Sequence, residues 1–591
     1  MSTSVDSVSA IWIDLLTLID FHLSIGTDRM EPESEKSHHT RHREQFRKNP
    51  IDGQVLKKLV EAGLTWLRTN QQTVNALNVF PVPDGDTGIN MVLTMQAAYD
   101  EIATSAEINF GKMAHAVAHG ALMGARGNSG VILSQLWRGF ARGVDNFEFL
   151  DGPKMVQAFA EARDTAYKGV VRPVEGTILT VAKDAAAAAD EALSDTQDPL
   201  QILEKSIVAA DISVEHTPEL LAELKKAGVV DAGGKGLFFL LEGMLRYING
   251  EPLDTAVTTV QPLSAMNLED TMETIEPGQD YEVVIDFKPY VPLNLEKFYG
   301  DLEKIGTSIQ VGEGEGIYRM HIHVPTEKRY EPIDYTMSLG TITKVAIENL
   351  IDQMQAIEEK ARGKKIKFAP VEAGQLAVVA VSPGVGIARV FASLGVAGIV
   401  EGGQTMNPST QDILESFENL PTNQIVILPN NKNIILAARA AAELTTKKVA
   451  VVPSRTVPEG LSAMLRLTPE GDFDNMVSEM TRAIDEVQTG EITTAVRDAE
   501  IDGVKVKEGE IIAMLNRKLV YANHSLEKTC LGLLEKANAA DYELITVFYG
   551  ADVTKQDARH IADTIGETYP NLEVEVMDGG QPHYHFILSI E

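Results

Sequence analysis

The stretch Asn78-Val-Phe-Pro-Val-Pro-Asp84-Gly-Asp86-Thr87-Gly88-Ile-Asn90-Met91 sets two prolines, two glycines and two acids ahead of an apolar periodic run. Pro81 and Pro83 restrict φ and exclude helix on the approach. Gly85 and Gly88 permit tight backbone turns. Asp84 and Asp86 can then converge on one hard cation. Magnesium takes oxygen ligands and usually keeps one or two carboxylates, with phosphates and water completing its octahedron. Downstream, Ile89, Val92, Leu93 and Ala97 recur at helical spacing, so a helix begins at about Thr87. Its N-terminus faces the same place and favours negative phosphate. A plain loop with an Asp or Thr helix cap also accounts for Asp-Gly-Asp. The flanking Asn78, Thr87 and Asn90 favour a ligand site without deciding the matter.

Three further turns share this character. Gly124-Ala-Arg126-Gly127-Asn128-Ser129-Gly130-Val-Ile-Leu-Ser134-Gln135 places small residues before an apolar helix. Backbone N–H groups and the Ser129 hydroxyl of such a loop can be aimed at phosphate. No Gly-Lys-Ser/Thr follows, so this is not a Walker A loop, and a helix–helix turn fits equally well. Pro173-Val-Glu175-Gly176-Thr177 and Gly228-Val-Val-Asp231-Ala-Gly233-Gly234-Lys235-Gly236 are the other two. Each is weak alone. Four polar-tipped glycine turns on one helical region exceed what packing requires, and loops gathered at one end of a bundle form a natural site.

Outward from these turns, the 591 residues call for several domains. Residues 1–49 read as a flexible extension, with His38, His39 and His42 in a polar stretch and Met30 as an alternative start of translation. Residues 50–250 read as almost wholly helical. Residues 251–277 have the composition of a linker. A small α/β domain follows over 278–365. Its strands are Tyr281–Phe287 and Tyr318–Val324, and a helix carries Ile347, Leu350, Ile351 and Met354 on one face. Residues 366–591 alternate strand, turn and helix, which predicts a parallel or mixed sheet with helices on its faces. Its strands are Leu376–Val381, Ile425–Leu428, Val449–Val452 and Leu544–Tyr549. Within it, Glu401-Gly-Gly-Gln404 is echoed by Asp578-Gly-Gly-Gln581, compatible with two lobes.

The charge balance is 52 basic against 85 acidic residues, a net charge of −33. With no strong basic patch, nucleic acid is not the expected partner. Cys530 is the single cysteine, which excludes an intramolecular disulfide and fits a reducing cytoplasm. The apolar run Ile11–Leu23 contains Asp14 and Asp20 and is too short to span a bilayer. It also lacks a basic leader and a small-residue cleavage site. The expectation is a cytoplasmic protein with no integral membrane segment.

In their order, the four turns resemble the L-subunit (ATP-binding) domain of bacterial dihydroxyacetone kinases. Over about residues 50–591 the chain resembles the catalytic subunit of bacterial fatty acid kinase, a dihydroxyacetone-kinase-like and DegV-like family. The resemblance resumes in Glu401-Gly-Gly-Gln-Thr-Met-Asn407-Pro408-Ser409-Thr410, in Leu428-Pro-Asn430-Asn431-Lys432-Asn433 and in Asp578–Pro582. It implies an eight-helix barrel carrying ATP at one end, with Asp84 and Asp86 as magnesium ligands. Asn78 stands near a third aspartate of the dihydroxyacetone kinases. Thr87, Asn90, Asn128, Ser129 and Gly130 match phosphate-contacting positions, with Gly88 and Met91 in the same stretch. Thr177, Asp231 and Gly233 fall in nucleotide-pocket loops.

The implied reaction is phosphorylation of a fatty acid carboxylate held by a separate DegV-fold protein. The middle domain would support a homodimer and the C-terminal domain would engage the acyl-binding partner. Asn407, Ser409, Asn430, Asn431 and Asn433 fall on that domain's loops, where ordinary turn and cap roles serve equally well. A kinase of a small dihydroxyacetone-like molecule and a non-catalytic ATP-binding scaffold are the alternatives.

His321 and His323 lie at strand spacing and point to one face, half of a zinc site; partly buried structural histidines are the other reading. Some relatives add a cysteine from the preceding strand. Here Asp280-Tyr281-Glu282-Val283 has none, and Glu282 is the residue that can take its place. His583 and His585 alternate in a strand and read as structural.

Overall fold

The computed structural model describes residues 49–77, 85–170, 172–253, 261–262, 280–314, 317–350, 366–501 and 503–591, with positions 43 and 46. Asn78, Asp84, the histidines at 38, 39 and 42, Ile351 and Met354 lie outside the described residues.

Eight helices of fourteen residues or more build the first region: α1 (Gly53–Thr69), α2 (Thr87–Ile102), α3 (Phe110–Met123), α4 (Gly127–Gly143), α5 (Gly152–Gly169), α6 (Ile178–Leu193), α7 (Pro199–Leu220) and α8 (Ala232–Asn249). Two six-residue helices, Gln71–Ala76 and Ala222–Ala227, sit between them. Their starts are written in the sequence. Asp52, Asn109, Asp151, Thr177, Asp198 and Asp231 each accept a backbone N–H from the first turn, which satisfies a donor that the helix leaves open.

Each long helix packs on the next, and α8 returns to α1, so the ring closes. This is the expected helical barrel, with two short helices added to the eight long ones. One continuous apolar core fills it, with Leu67, Met91, Met95, Phe110 and Met113 fully enclosed. Helices α4 and α5 approach closely because Gly139 and Gly143 face Ala162 and Ala158. A Cβ at either glycine would lie 2.5–2.6 Å from the facing alanine Cα.

The middle region is a five-stranded sheet in the order β1-β3-β4-β2-β5. Its strands are β1 (Gln261–Pro262), β2 (Tyr281–Pro289), β3 (Thr307–Gly314), β4 (Ile317–Val324) and β5 (Gly340–Asn349). The short β1 falls within the expected linker and runs parallel to β3. The helical expectation is corrected at Ile347 alone. Ile347 lies in β5, paired with Val283 of β2, whereas Leu350, just past the strand's end, is helical. Thr341-Ile-Thr343-Lys-Val345-Ala-Ile347 is rich in β-branched residues that fit a pleated surface. The expected helix therefore starts no earlier than Leu350, the first helical residue after the strand.

The C-terminal region has two main sheets. β6 (Leu376–Ser382), β7 (Gly398–Glu401), β8 (Gln424–Leu428) and β9 (Lys448–Val451) form a parallel sheet in the order β7-β6-β8-β9. Every residue of β6 is buried, as expected of a strand covered on both faces. Next come β10 (Gln488–Thr494), the hairpin β11 (Ala499–Ile501) and β12 (Val504–Val506), and then β13 (Ile511–Leu515), β14 (Lys518–Asn523), β15 (Leu544–Tyr549), β16 (Glu573–Asp578) and β17 (Tyr584–Ile590). Apart from the hairpin they make a mixed sheet in the order β14-β13-β10-β17-β15-β16.

The first Gly-Gly-Gln segment lines a cleft between these lobes through Gly402, Gly403 and Gln404, opposite Pro582, which follows the second. His583 departs from its expected place. It precedes β17 at φ +65° and makes a 2.7 Å hydrogen bond with Thr405 Oγ1, so only His585 belongs to the strand. No described helix is long and apolar enough to cross a membrane.

Candidate functional site

Four of the long helices, α2, α4, α6 and α8, begin at the four glycine-marked turns. Thr87, Asn128, Ser129, Thr177, Asp231 and Gly233 from those turns line one cavity of about 370 Å³. That volume falls in the usual range of small-ligand sites. Four helix N-termini at one place supply unsatisfied N–H groups and partial positive charge, so an anion is favoured there despite the acidic chain. Arg172 and Val174 complete one side, and Leu436 of the C-terminal region closes another.

Asp86 is the N-cap of α2 and is buried. Its side chain makes no cap hydrogen bond. Asn75 caps the helix instead, its Oδ1 accepting from Gly88 N at 2.7 Å and Ile89 N at 3.3 Å. Gly88 is obligatory there, because a Cβ would stand 2.4 Å from Gln71 O. Asn90 is buried one turn on, and Met91 is wholly enclosed against Gly236 on the barrel's inner side.

Gly127 takes φ +57°, and a side chain there would lie 2.8 Å from Asn90 Nδ2. Gly130 similarly admits Thr94, whose Oγ1 would be 2.3 Å from a Cβ. These glycines bring the second turn against the first.

Thr177 caps α6 and donates to Val174 O at 2.8 Å. Glu175 is held by Tyr167, Thr180 and Lys183, the last at 2.6 Å, and Lys183 keeps its carboxyl below the usual range. It braces the turn. Asp231 caps α8, its Oδ2 accepting from Gly234 N at 2.7 Å. Burial outweighs that hydrogen bond and pushes the Asp231 carboxyl up to about 6.

The C-terminal region reaches into this group. Asn407 Nδ2 donates to Asp86 Oδ2 at 2.5 Å, and Arg126 Nη1 donates to Asn407 O at 2.9 Å. Thr410 N donates to Ala125 O at 3.2 Å, and Arg126 bridges to Ser409 and pairs with Asp412 at 3.5 Å. Asn128 Nδ2 donates to Asn433 Oδ1 at 3.3 Å. Asn407, Ser409 and Asn433, read from the sequence as loop residues of a partner-facing domain, therefore touch the helical region. Asn430 and Asn431 stay within their own region, on Val381 O and Gln404 Oε1. Sequence reasoning assigned no role to Asn75 or Arg172. The only signals were an asparagine at the edge of the first motif and a lone cation before Pro173.

A second cluster lies in the middle sheet. Glu282, His321 and His323 are all buried and offer ligand atoms within 4.8 Å of one another. Glu282 faces His323 across the β2–β4 ladder, and His321 Nε2 lies 2.9 Å from Glu282 Oε1. His321 Nδ1 contacts Ser308 O at 3.0 Å. Both ring nitrogens of His323 are buried and have no hydrogen-bond partner among the described residues. Burial, reinforced by His321, lowers His323 to about 4, so it stays neutral near pH 7.

Three family models match the chain. Two describe proteins like the A chain of fatty acid kinase (FakA-like): the C-terminal model covers residues 377–591 and the middle-domain model covers 277–357. The third, the DAK2 domain, covers 81–246. An uncharacterized protein of Staphylococcus aureus (strain USA300) is 37% identical over 549 residues, 92% of this chain and 99% of its own. One from Staphylococcus saprophyticus is 36% identical over 550 residues, with the same two coverages. The chain belongs to the FakA-like fatty acid kinase family, a family of kinase type with a DAK2 domain at its helical end.

Among solved structures, a DegV family protein from Corynebacterium glutamicum aligns at 15% identity over 36% of this chain and 96% of its own, with a TM-score of 0.29. The dihydroxyacetone kinase of C. freundii aligns at 12% identity over 37% of this chain and 48% of its own, with a TM-score of 0.27. Scores this low carry no argument.

Proposed function

We propose that this chain is the ATP-dependent kinase component that phosphorylates the carboxylate of a fatty acid presented by a separate DegV-fold acyl-binding protein. The product is an acyl phosphate for lipid synthesis. The observation that carries this reading is the meeting of four helix N-termini and their polar turns on one cavity, in a chain of the fatty acid kinase family.

Thr87, Gly88, Asn90, Asn128, Ser129 and Gly130 cradle the phosphates, and Thr177, Asp231 and Gly233 border the nucleotide. Met91 backs the first turn from the barrel core. Asp86, with Asp84 and Asn78 of the same motif, holds magnesium. The buried Asp86 carboxylate, with no helix-cap duty of its own, suits that ion. When bound, the metal supplies charge neutralisation on the phosphates.

A fatty acid carboxylate is already ionised near neutral pH and needs no general base. Its oxygen bonds to the γ-phosphorus as the bridging oxygen leaves with ADP. The chain's own contribution is then positioning and oriented N–H donors.

The Glu282–His321–His323 cluster is suited to zinc. Its donor set is two neutral imidazoles and a carboxylate, and His323 has two ring nitrogens without partners among the described residues. In this reading Glu282 stands where some relatives carry cysteine.

The test is to incubate the purified chain with Mg-ATP and a fatty-acid-loaded DegV-fold protein. Acyl phosphate formed only when both proteins are present is the expected result. Turnover of free dihydroxyacetone, or ATP binding without turnover on any partner, would reject it.

A further inference from the structure

Asn407 sits on the loop after β7, 321 positions along the chain from Asp86, yet it is 3% exposed and bonded to that carboxylate. The amide can face Asp86 in only one sense. Its NH₂ donates to the carboxylate; the reverse would set two acceptors against each other. Oδ1 belongs to the same planar amide and therefore also lies beside Asp86. It is buried and has no hydrogen-bond partner among the described residues. A buried carbonyl oxygen left without a donor costs about 1–3 kcal/mol, and buried polar groups are rarely left so.

The surroundings hold the amide in this pose. Arg126 Nη1 fixes its backbone oxygen at 2.9 Å. Gly127, bare of side chain at φ +57°, leaves the room that Asn90 Nδ2 and Asn407 Nδ2 occupy at 2.8 and 3.5 Å from a would-be Cβ. An ionised carboxylate beside an orphaned amide oxygen is a pair of acceptors. A divalent cation with oxygen preference satisfies the amide oxygen and can share the neighbouring carboxylate.

We propose that Asn407 completes the cation site of the nucleotide domain, its NH₂ orienting Asp86 and its Oδ1 facing the ion. The inference rests on the kinase reading above and extends it. The helical domain alone is incomplete, and the C-terminal domain must be docked for the metal-dependent part of nucleotide binding. Asn407 is thus a positioning residue toward Asp86 and a candidate oxygen donor toward the cation. Docking of the C-terminal domain and loading of Mg-ATP stabilise one another, because each ligand of a coupled pair strengthens the other by the same factor.

The test uses the full chain and ADP, with binding measured by calorimetry in Mg²⁺, in Mn²⁺ and in EDTA. Asn407→Ala should weaken the metal-dependent affinity about 10-fold or more, as loss of a group that orients a ligand does. Its affinity in EDTA should stay near wild type. Asn433→Ala removes one docking hydrogen bond but no oxygen beside Asp86, and should weaken the metal-dependent affinity far less than Asn407→Ala does. Asn407→Asp sets a second carboxylate against Asp86. It should melt below wild type in EDTA and recover the difference when Mn²⁺ is added.

Three results would overturn the proposal: unchanged metal dependence in N407A, equal loss in N433A, or no recovery of N407D by Mn²⁺. A wild-type chain that binds Mg-ADP normally beside an unaffected N407A would sink this inference alone. A wild-type chain that binds no nucleotide would sink the kinase reading with it.

Discussion

Asp231 shows how one residue can serve a fold and strain it. As an N-cap it closes α8 through Gly234 N, but burial raises its carboxyl from 3.8 to about 6. A folded pKa above the unfolded one means the folded state holds the proton more tightly. The stabilisation is complete below about 3.8 and is lost as pH rises to about 6. Asn at the same cap keeps the hydrogen bond without the charge. Asp231→Asn should therefore gain stability over wild type as pH rises through that window, by at most about 3 kcal/mol at pH 7.5. Paired thermal melts at pH 4.5 and 7.5 check it; a constant difference between the two would contradict the cause given. Asp86 should behave differently. Asp86→Ala should abolish phosphoryl transfer while leaving capture of the acyl-loaded DegV-fold protein intact, read by acyl phosphate assay and by pull-down. Asp86 drew attention in the sequence because Asp84-Gly-Asp86 pairs two acids on a flexible turn ahead of a helix. Asn75 was not, because an asparagine that caps a helix thirteen positions away in sequence has no local signature.

Among elements, the turns carry the site and the glycines decide how closely they meet. At Gly127 an alanine would add left-handed backbone strain of about 1–2 kcal/mol and a contact of 2.8 Å with Asn90 Nδ2. Gly127→Ala should lower ADP affinity more than it lowers the melting temperature. Gly139→Ala, on the α4–α5 contact far along the same helix, should do the reverse. A Cβ there meets Glu161 O at 2.2 Å, and overpacking of this kind costs about 1–3 kcal/mol.

The middle sheet illustrates what periodicity reads well and badly. Alternation placed His321 and His323 on one face, and the β2–β4 ladder brings Glu282 to them. If zinc is held there, the purified chain should contain about one equivalent by elemental analysis. His323→Ala should lose it, and chelation should leave the His323 variant's stability unchanged while lowering that of wild type. Ile347 was misread as helical because it stands three residues before the helical Leu350, at helix-like spacing. Pairing with β2 decides it.

For the whole molecule, the barrel and the C-terminal region meet at the site rather than side by side. Arg126 is the hinge-pin of that contact, with bonds to Asn407 O and Asp412 and a bridge to Ser409. Removing a charged hydrogen bond of about 1.5 kcal/mol raises the population of the undocked state about tenfold. Arg126→Ala should accordingly speed amide hydrogen exchange across residues 405–412, with little change in β15, which lies in the other lobe. Exchange in that loop at the wild-type rate would mean the contact is held elsewhere.

The helical character of residues 50–250, the four glycine-marked turns and the alternation of the C-terminal strands were legible in the order of residues. Each follows from neighbours within one or two turns, where propensity and capping act. Resemblance added the order of those turns along a kinase-type domain. Two features became visible only once the chain was folded. One is that Arg172 and, from the C-terminal region, Leu436 wall the same cavity as Thr87, Asn128, Thr177 and Asp231. The other is that Asn407, 321 positions from Asp86, donates a hydrogen bond to that acid. Contacts of that separation arise from packing whole regions together. Their energy depends on shape and burial, which no local pattern of residues records.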